Sequence, residues 1–418
     1  MNMEGLYELF KKSYLVDTDT RNIRKGTIFF ALKGANFNGN KFAVEALNKG
    51  ASFAVVDEEE YRVNDKTLLV DDVLETLQNL ANYHRRQLQV PIIALTGSNG
   101  KTTTKELINA VLSQKYKTVA TRGNLNNHIG VPLTLLSIKP DTEIGVIEMG
   151  ANHHKEIALL SSIAEPDYGY ITNFGKAHLE GFGSVEGVIE AKSELYDFLK
   201  EDDRTIFVNP LDVIQMEKTE RSNRILFSSS IQFKEVNPFV KLSYGNVVIQ
   251  SNLIGKYNYN NIAAAITIGE KFNIESTKIK EAIELYTPDN NRSQILEKGS
   301  NKIILDAYNA NPTSVQAALE NFKLLKTNRK VVILGDMFEL GDNSKQEHQD
   351  IASLVDKFDF NESVLVGENF SKTNTSSRQY LNFEELKEFI QGKTYTNSTI
   401  LIKGSRGMAL ERILEFLN

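Results

Sequence analysis

Short apolar runs alternate with segments in which apolar residues recur at helical spacing. The run at 90–96 breaks into a glycine-containing turn, after which Leu107, Ile108, Val111 and Leu112 recur as on one face of a helix. Further apolar runs predict strands at 116–121, 144–149, 168–173 and 204–208. Strands that alternate with helices indicate a mostly parallel sheet, and ligands of such sheets bind beyond the carboxyl ends of the strands.

The same pattern occurs on both sides of this segment. Upstream, apolar runs at 27–32 and 52–56 and a helix at 73–88 predict a small α/β domain. Downstream, strands are predicted at 302–305, 330–334, 363–366 and 399–402, before a last helix at 408–417. We therefore expect an α/β protein of three domains. They are a small α/β domain at 1–88, a central domain with a mostly parallel sheet at 89–296, and a doubly wound domain at 297–418.

Composition narrows the class of function. A length of 418 residues suits roughly three domains of about 150 residues. The net charge of −6 argues against a nucleic-acid partner, and the absence of cysteine excludes disulfides, thiol nucleophiles and thiolate metal sites. Apolar stretches are far shorter than the roughly 20 residues of a membrane span, and the N-terminus is charged where a signal peptide is apolar. We expect a cytoplasmic protein that binds small molecules.

The turn after the strand at 90–96 predicts a phosphate-binding loop. Gly97 and Gly100 allow close backbone approach, and the first turn of the following helix offers N–H groups to an anion. Lys101 adds positive charge for the outer phosphates, and the Thr102 hydroxyl can bind Mg²⁺. Leu95 stands where the usual pattern has another glycine, so the loop is a shortened variant. The alternative is an ordinary strand–turn–helix with a lysine in its first turn.

Polar side chains also follow other predicted strands. Glu148 stands at a strand end, where a carboxylate can hold the magnesium of a nucleotide or simply cap a structure. His178 follows the strand at 168–173, and Lys192 lies on a helix predicted at 184–199. Taken alone, these two residues have ordinary interpretations as a structural histidine and a solvated lysine. Three loops of the third domain, each after a strand, are also polar and predict either a binding face or residues that serve the turns alone.

These motifs together resemble those of the Mur ligase family of ATP-dependent amide-forming enzymes. The resemblance begins near Asp17 and is carried by the segments 96–102, 123–127, 148–153, 177–183, 306–311, 335–341 and 403–406. It implies a uridine-nucleotide-binding N-terminal domain, a central domain with a P-loop ATPase core, and a C-terminal domain that closes over the site. The implied reaction joins D-alanyl-D-alanine to UDP-N-acetylmuramoyl-tripeptide through an acyl phosphate, giving a peptidoglycan precursor.

The resemblance also assigns roles to individual residues. The implied catalytic residues are Lys101, Glu148, His178, Lys192 and Arg292. Magnesium would be held by Thr102, Glu148, His178 and Lys192, the last as a carbamylated lysine. ATP would contact Gly97, Ser98, Asn99, Gly100, Lys101, Thr102, Thr103, Asn258, Asn261, Arg292, Asp306, Tyr308 and Asn309. The peptide and uridine-nucleotide substrates would contact Thr20, Arg21, Lys33, Asn126, Asn127, Lys403, Ser405 and Arg406.

Two positions depart from the family pattern. Asn38-Gly39-Asn40 replaces a common Asp-Gly-His, and Tyr257 stands in the histidine position of a Gly-x-His-Asn turn. Without the resemblance, the asparagine of this turn would be interpreted as a helix cap.

Two alternatives stay open. One is a sibling reaction, third-residue addition or folate polyglutamylation, although the Asp-Asn-Pro-Arg signature of the former is absent. The other is a switch that hydrolyses ATP without ligation. We expect a monomer that uses ATP and Mg²⁺; the third peptide residue, diaminopimelate or lysine, is undetermined.

Overall fold

The N-terminal unit is a four-stranded parallel sheet with helices. The computed structural model describes residues 2–289 and 291–417. The sheet has the order β1-β2-β5-β6, and β3 and β4 form a separate hairpin. The elements are α1 (Met3–Phe10), β1 (Val16–Asp17), β2 (Ile28–Phe30), β3 (Lys33–Gly34), β4 (Phe37–Asn38), α2 (Ala43–Asn48), β5 (Phe53–Val56), β6 (Thr67–Leu69) and α3 (Val73–Leu88).

The central unit is a six-stranded parallel sheet of order β12-β11-β10-β7-β9-β8. Its elements are β7 (Ile92–Thr96), α4 (Lys101–Leu112), β8 (Thr118–Ala120), α5 (Gly130–Leu136), β9 (Ile144–Glu148), α6 (Glu156–Ala164), β10 (Tyr168–Ile171), α7 (Leu179–Phe182), α8 (Val185–Glu201), β11 (Thr205–Val208), α9 (Val213–Lys218) and β12 (Arg224–Leu226). Because β7 lies between β9 and β10, the loops after these three strands emerge side by side.

The predicted strands of this unit are confirmed, but its second sheet was not predicted. An antiparallel sheet of β13 (Ile231–Val236), β14 (Phe239–Tyr244) and β15 (Val247–Ile254) follows β12. It packs into the same core as α4, α10 (Asn258–Lys271) and α11 (Ser276–Leu285). The apolar residues of these strands alternate over only a few positions, and a bulge interrupts each pairing, so the period-two signal is weak.

The C-terminal unit is a six-stranded sheet of order β16-β17-β21-β18-β19-β20, parallel except for β16. Its elements are β16 (Gln294–Lys298), β17 (Asn301–Asp306), α12 (Pro312–Leu324), β18 (Arg329–Gly335), α13 (Ser344–Phe358), β19 (Glu362–Val366), β20 (Arg378–Tyr380), α14 (Phe383–Gln391) and β21 (Ser398–Lys403). The domain boundary expected at 296 falls inside β16, and the pairing of this strand with β17 favours a boundary before Gln294.

The predicted last helix at 408–417 is wrong. Two 3₁₀ segments, Arg406–Met408 and Leu410–Glu415, stand there instead. Ala409 between them has φ 46°, a left-handed conformation that a continuous α-helix cannot contain. Leu410 and Ile413, three residues apart, are both fully buried, which suits the three-residue period of a 3₁₀ turn.

Helix α3 connects the first two units. Its Gln78 and Asn82 side chains donate hydrogen bonds to backbone carbonyls beside α5 and in α6, and the Arg85 guanidinium lies 2.8 Å from the Asp167 carboxylate. These contacts fix the N-terminal unit against the central one. Over the described ranges, no helix has both the length and the apolar character to span a bilayer.

Candidate functional site

The phosphate loop lies where β7 ends and α4 begins. Gly97 has φ 144°, and a Cβ atom there would lie 1.9 Å from the Thr172 hydroxyl oxygen. Gly100 has φ 80°, and a Cβ atom there would lie 2.8 Å from Oδ1 of Asn261. Both positions therefore require glycine for the backbone conformation and for space.

The loop after β10 holds the phosphate loop in shape. The Asn99 carbonyl accepts hydrogen bonds from the Thr172 hydroxyl at 2.6 Å and from Nδ2 of Asn173 at 2.9 Å. The Ser98 hydroxyl donates to the Gly175 carbonyl at 2.8 Å. Three hydrogen bonds within the protein therefore hold the turn in this shape.

Lys101 occupies the first position of α4. Its Nζ donates to the Gly97 carbonyl at 2.6 Å, which folds the side chain back over the loop. Burial lowers the pKa of this lysine, nearby Arg292 lowers it further, and Glu148 opposes the shift. Two cations therefore stand close together in a site with limited counter-charge, as a polyanion-binding site requires.

Glu148 is the best candidate for a magnesium ligand. Its buried Oε1 accepts hydrogen bonds from Nδ2 of Asn126 at 2.8 Å and from the Thr102 hydroxyl at 3.3 Å. Its Oε2 is buried and has no hydrogen-bond partner among residues 2–289 and 291–417. A free carboxylate oxygen beside a hydroxyl suits Mg²⁺, which binds through one or two carboxylates plus substrate phosphates. In the described part of the chain, no group of three or more acidic, histidine or cysteine side chains could hold a metal alone.

His178 and Lys192 approach this region from α7 and α8. His178 has φ 53°, and its Nδ1 lies 2.5 Å from Oε2 of Glu339 in the C-terminal unit. Lys192 is fully buried, so its interpretation as a solvated lysine is wrong. Burial, reinforced by the charge of Lys101, puts the pKa of Lys192 well below its usual value. Within the described ranges no carboxylate forms a salt bridge with it, and its Nζ lies 5.4 Å from the Phe182 ring centroid.

Arg292 lies at the joint between the central and C-terminal units. Its guanidinium carbon stands 3.8 Å from the ring centroid of Tyr308. Its Nε is buried without a hydrogen-bond partner in the part of the chain that the structure describes. Close by, the Lys403 Nζ donates to Asp306 at 2.6 Å and to the Asn309 carbonyl at 3.1 Å. A cation–π contact holds Arg292, whereas Lys403 is already neutralised by a carboxylate.

Asn258 and Asn261 make structural contacts. Nδ2 of Asn258 donates to the Ile254 carbonyl at 2.7 Å, and Nδ2 of Asn261 donates to Oδ1 of Asn258 at 2.7 Å. The pair ties the end of β15 to the first turn of α10 and places the Asn261 side chain against Gly100. Neither side chain caps the helix, which has Tyr257 at its N-cap position.

One cavity of about 960 Å³ lies between the central and C-terminal units. The predicted site residues that line it are Ser98, Asn99, Gly100, Lys101, Thr102, Thr103, Asn126, Asn127, Glu148, His178, Asn258, Asn261, Arg292, Asp306, Tyr308, Asn309 and Lys403. Those that do not line it are Gly97, Lys192, Ser405, Arg406, Thr20, Arg21 and Lys33. Most of the predicted ATP and metal contacts are thus brought together.

The predicted residues outside the cavity have partners of their own. The Ser405 hydroxyl accepts from the Phe338 backbone N–H at 2.9 Å, and Arg406 pairs with Glu411 at 2.9 Å. In the N-terminal unit, exposed Arg21 pairs with Asp19 at 2.6 Å. Lys33 pairs with Asp57 and Glu58, while the Thr20 carbonyl accepts a hydrogen bond from Lys49.

Several contacts between the central and C-terminal units were not predicted. Nδ2 of Asn311 donates to Oδ1 of Asn99 at 2.7 Å, and Lys176 pairs with Glu347 at 2.7 Å. The Glu339 contact to His178 described above is a third. Asn311 and Glu339 lie in polar motifs that the sequence analysis singled out, but the pairing of residues in different domains leaves no local pattern.

Three family models match this chain in succession. The model described as "Mur ligase family, catalytic domain" matches residues 12–85. "Mur ligase middle domain" matches 95–269, and "Mur ligase, glutamate ligase domain" matches 291–406.

Individual relatives align over almost the whole chain. The UDP-N-acetylmuramoyl-tripeptide--D-alanyl-D-alanine ligase of Bacillus subtilis is 35% identical over 427 residues, covering 96% of this chain and 92% of the relative. A crystal structure of MurF from Acinetobacter baumannii superposes with a TM-score of 0.85 at 31% identity, covering 96% of this chain and 92% of the other. MurF from Thermotoga maritima in complex with ADP gives a TM-score of 0.85 at 26% identity, with 96% of both chains covered.

Proposed function

Because the chain belongs to the Mur ligase family, we propose that it joins D-alanyl-D-alanine to UDP-N-acetylmuramoyl-tripeptide, with conversion of ATP to ADP and phosphate. The aligned relatives that carry this activity in their names support the proposal. The observation that carries it is the cavity that the phosphate loop and the C-terminal unit line together. A ligase needs such a cavity, because the phosphorylated carboxylate and the attacking amine must meet in one place.

The proposed reaction has two steps, phosphoryl transfer and then peptide-bond formation. The terminal carboxylate of the tripeptide attacks the γ-phosphorus of ATP, forming an acyl phosphate and releasing ADP. The amine of the dipeptide then attacks the acyl carbon, loses a proton, and expels phosphate as the peptide bond forms. The first step brings two anions together, so positive charge must be concentrated there. Lys101 and Arg292 would supply it, from the phosphate loop and from the opposite wall of the cavity.

The proposed magnesium ions would be held by Thr102, Glu148, His178 and a carbamylated Lys192. Bound magnesium would neutralise phosphate charge during transfer. The free Oε2 of Glu148 and its neighbouring Thr102 hydroxyl fit one ion. Carbamylation adds CO₂ to the neutral amine with loss of a proton, giving an anionic oxygen ligand. Burial and the lowered pKa of Lys192 favour the neutral amine that this addition requires.

The remaining assignments concern substrate recognition. We place the nucleotide edge of the closing domain at Asp306, Tyr308 and Asn309, which line the cavity. Lys403 lines it as well and would face the peptide, together with Ser405 and Arg406 of the same loop. Thr20, Arg21 and Lys33 would contact the uridine nucleotide, Asn126 and Asn127 the peptide-bearing substrate. Asn258 would act on the adenosine side through Asn261, which packs on Gly100.

Phosphate release from ATP with UDP-N-acetylmuramoyl-tripeptide tests the proposal. We expect little release until D-alanyl-D-alanine is added, and a product heavier by that dipeptide in mass spectrometry. Release that ignores the dipeptide would favour the hydrolytic switch, and a product formed with a single amino acid would favour a sibling reaction. Running lysine- and diaminopimelate-containing tripeptides in parallel assigns the preferred third residue.

The carbamylation of Lys192 has a separate test. We expect a Lys192→Ala variant to lose ligation and to recover part of it when short-chain carboxylic acids are supplied, because these restore an anionic oxygen in the vacated space. Lys200 lies on the same helix and is surface-exposed, so Lys200→Ala is the matched control and should keep its activity. In the intact protein, ¹³C-labelled CO₂ should give one carbamate signal that Lys192→Ala lacks.

A further inference from the structure

A chain of hydrogen bonds crosses the joint between the central and C-terminal units. Tyr257 lies at the start of α10, and its hydroxyl is 2.7 Å from the Ser293 hydroxyl oxygen. The Ser293 backbone N–H donates to Oδ1 of Asp306 at 3.0 Å, and Oδ2 of Asp306 accepts from Lys403 at 2.6 Å. Ser293, in the linker between the two units, is therefore bonded to Tyr257 of the central unit and to Asp306 of the C-terminal sheet.

The Tyr257 ring is held firmly enough to act as an anchor. Gly255 before it has φ 86°, and a Cβ atom there would lie 2.5 Å from a ring carbon. The ring thus packs directly on the backbone of its own turn. Because of this packing, the hydroxyl has a defined position, and its hydrogen bond to Ser293 restrains the linker.

Ser293 needs that restraint. Its φ of 54° is in the left-handed region, which is unfavourable for a residue with a side chain. Arg292, the preceding residue, stacks on Tyr308 and lines the cavity. Rotation of the Ser293 backbone to a relaxed conformation would turn the peptide that joins the two residues and would move the Arg292 guanidinium.

We propose that Tyr257 is a positioning residue for Arg292, acting through its hydrogen bond to Ser293. This inference rests on the proposed function, in which Arg292 reaches the γ-phosphate of ATP. The hydroxyl holds the strained linker so that the guanidinium faces the Lys101 end of the phosphate loop before nucleotide arrives. Tyr257 thereby contributes to discrimination between ATP and ADP, which differ by the phosphate that Arg292 would contact.

The test compares the affinities of a non-hydrolysable ATP analogue and of ADP, measured by calorimetry on the full chain. We expect Tyr257→Phe to weaken analogue binding about fivefold and to leave ADP binding unchanged, as loss of one net hydrogen bond implies. Ser293→Ala removes the same bond from the other side and should give the same result. Combining the two substitutions should add little, because each alone already breaks the bond.

Tyr259→Phe is the matched control. Tyr259 lies on the same helix and donates its hydroxyl to the Ile231 carbonyl at 2.8 Å, inside the central unit. Both of its affinities should stay at the wild-type values. The inference would be overturned if Tyr257→Phe weakened the binding of the analogue and of ADP equally. It would also be overturned if neither Tyr257→Phe nor Ser293→Ala weakened the binding of the analogue. Failure of the proposed function is distinguishable, because it appears in the wild-type protein as phosphate release that ignores the dipeptide.

Discussion

Apart from Lys403, which is paired with Asp306, the lysine side chains of the cavity region differ in burial and in pairing from the basic side chains of the N-terminal candidate surface. In the cavity region, Lys101 is partly buried and Lys192 is fully buried, and no carboxylate among the described residues forms a salt bridge with either. On the N-terminal unit, Arg21 and Lys33 are exposed and already paired, with Asp19 at 2.6 Å and Asp57 at 3.0 Å.

This difference indicates what each region is built to do. Holding the Lys101 cation without a carboxylate partner is unfavourable, whereas for Lys192 the same surroundings favour the neutral amine. An incoming anion then gains the whole interaction with little reorganisation. An exposed pair must break before it can bind a new partner, and solvent screening makes such a pair weak. We therefore expect substitutions in the cavity to affect the chemical step, and those on the N-terminal surface to affect affinity.

Lys101→Met should have the largest effect. It removes the charge that folds over the phosphate loop, and we expect kcat to fall about a hundredfold to a thousandfold, as for other preorganised donors to a reacting group. Lys115→Met, near the end of the same helix, is the control and should keep full activity. Steady-state phosphate release checks both. A Lys101→Met enzyme within threefold of wild type would remove the basis of the comparison.

Glu148→Gln should rank second. It keeps the volume but replaces the free Oε2 with an amide, so we expect the Mg²⁺ concentration for half-maximal activity to rise about tenfold or more. Glu143→Gln, just before β9, changes a carboxylate that accepts a backbone hydrogen bond from Lys117, and it should leave this concentration unchanged. An unchanged magnesium dependence in Glu148→Gln would show that the unpartnered oxygen is not a metal ligand.

The fold was largely predictable because its signals are local. Inner strands of the parallel sheets, such as β7, β9 and β21, are buried on both faces, and helix α3 was predicted at its observed bounds. The predicted helix at the C-terminus failed because its conformation depends on contacts outside the segment. Gly407 packs against Phe338, and Ala409 adopts a left-handed conformation that no propensity scale anticipates.

The parts of the candidate site that lie within one domain were predictable, whereas the contacts between domains were not. Motifs place Lys101 and Glu148 at adjacent strand ends, since parallel strands bring their carboxyl ends to one edge. The contacts of His178 with Glu339 and of Asn99 with Asn311 join different domains, and their geometry follows from domain packing. The burial of Lys192 was also invisible, because a lysine between two glutamates is typical of an exposed helix face.

Lys33→Ala should have a smaller effect of a different kind. Because Lys33 is already paired with Asp57, exchanging one partner for a substrate phosphate gains little, and we expect KM for the uridine-nucleotide substrate to rise about twofold to fivefold with kcat unchanged. Lys41→Ala in the same unit is the control, since this exposed lysine has no assigned role. A fall in kcat would mean that the N-terminal surface takes part in the chemical step and does not act on affinity alone.

His84 provides the smallest and sharpest test, because it is buried but satisfied. One ring nitrogen lies 3.2 Å from the Tyr7 hydroxyl and the other 2.8 Å from the Ile138 carbonyl. Burial lowers its pKa, so the unfolded chain takes up a proton at a higher pH than the folded one. The stability held by the neutral ring is therefore complete above about pH 6.5 and declines as the pH falls toward the lowered pKa.

In thermal unfolding, we expect the wild-type midpoint to fall more steeply between about pH 7 and about pH 5 than that of His84→Gln, which cannot titrate there. Ligation at neutral pH should stay within about twofold of wild type, since the side chain lies outside the cavity. Parallel pH profiles of the two proteins would refute the role of this ring. A large loss of ligation in His84→Gln would show that a buried residue can be functional even when its polar atoms have partners. Lack of a partner would then no longer distinguish the cavity residues from the rest of the protein.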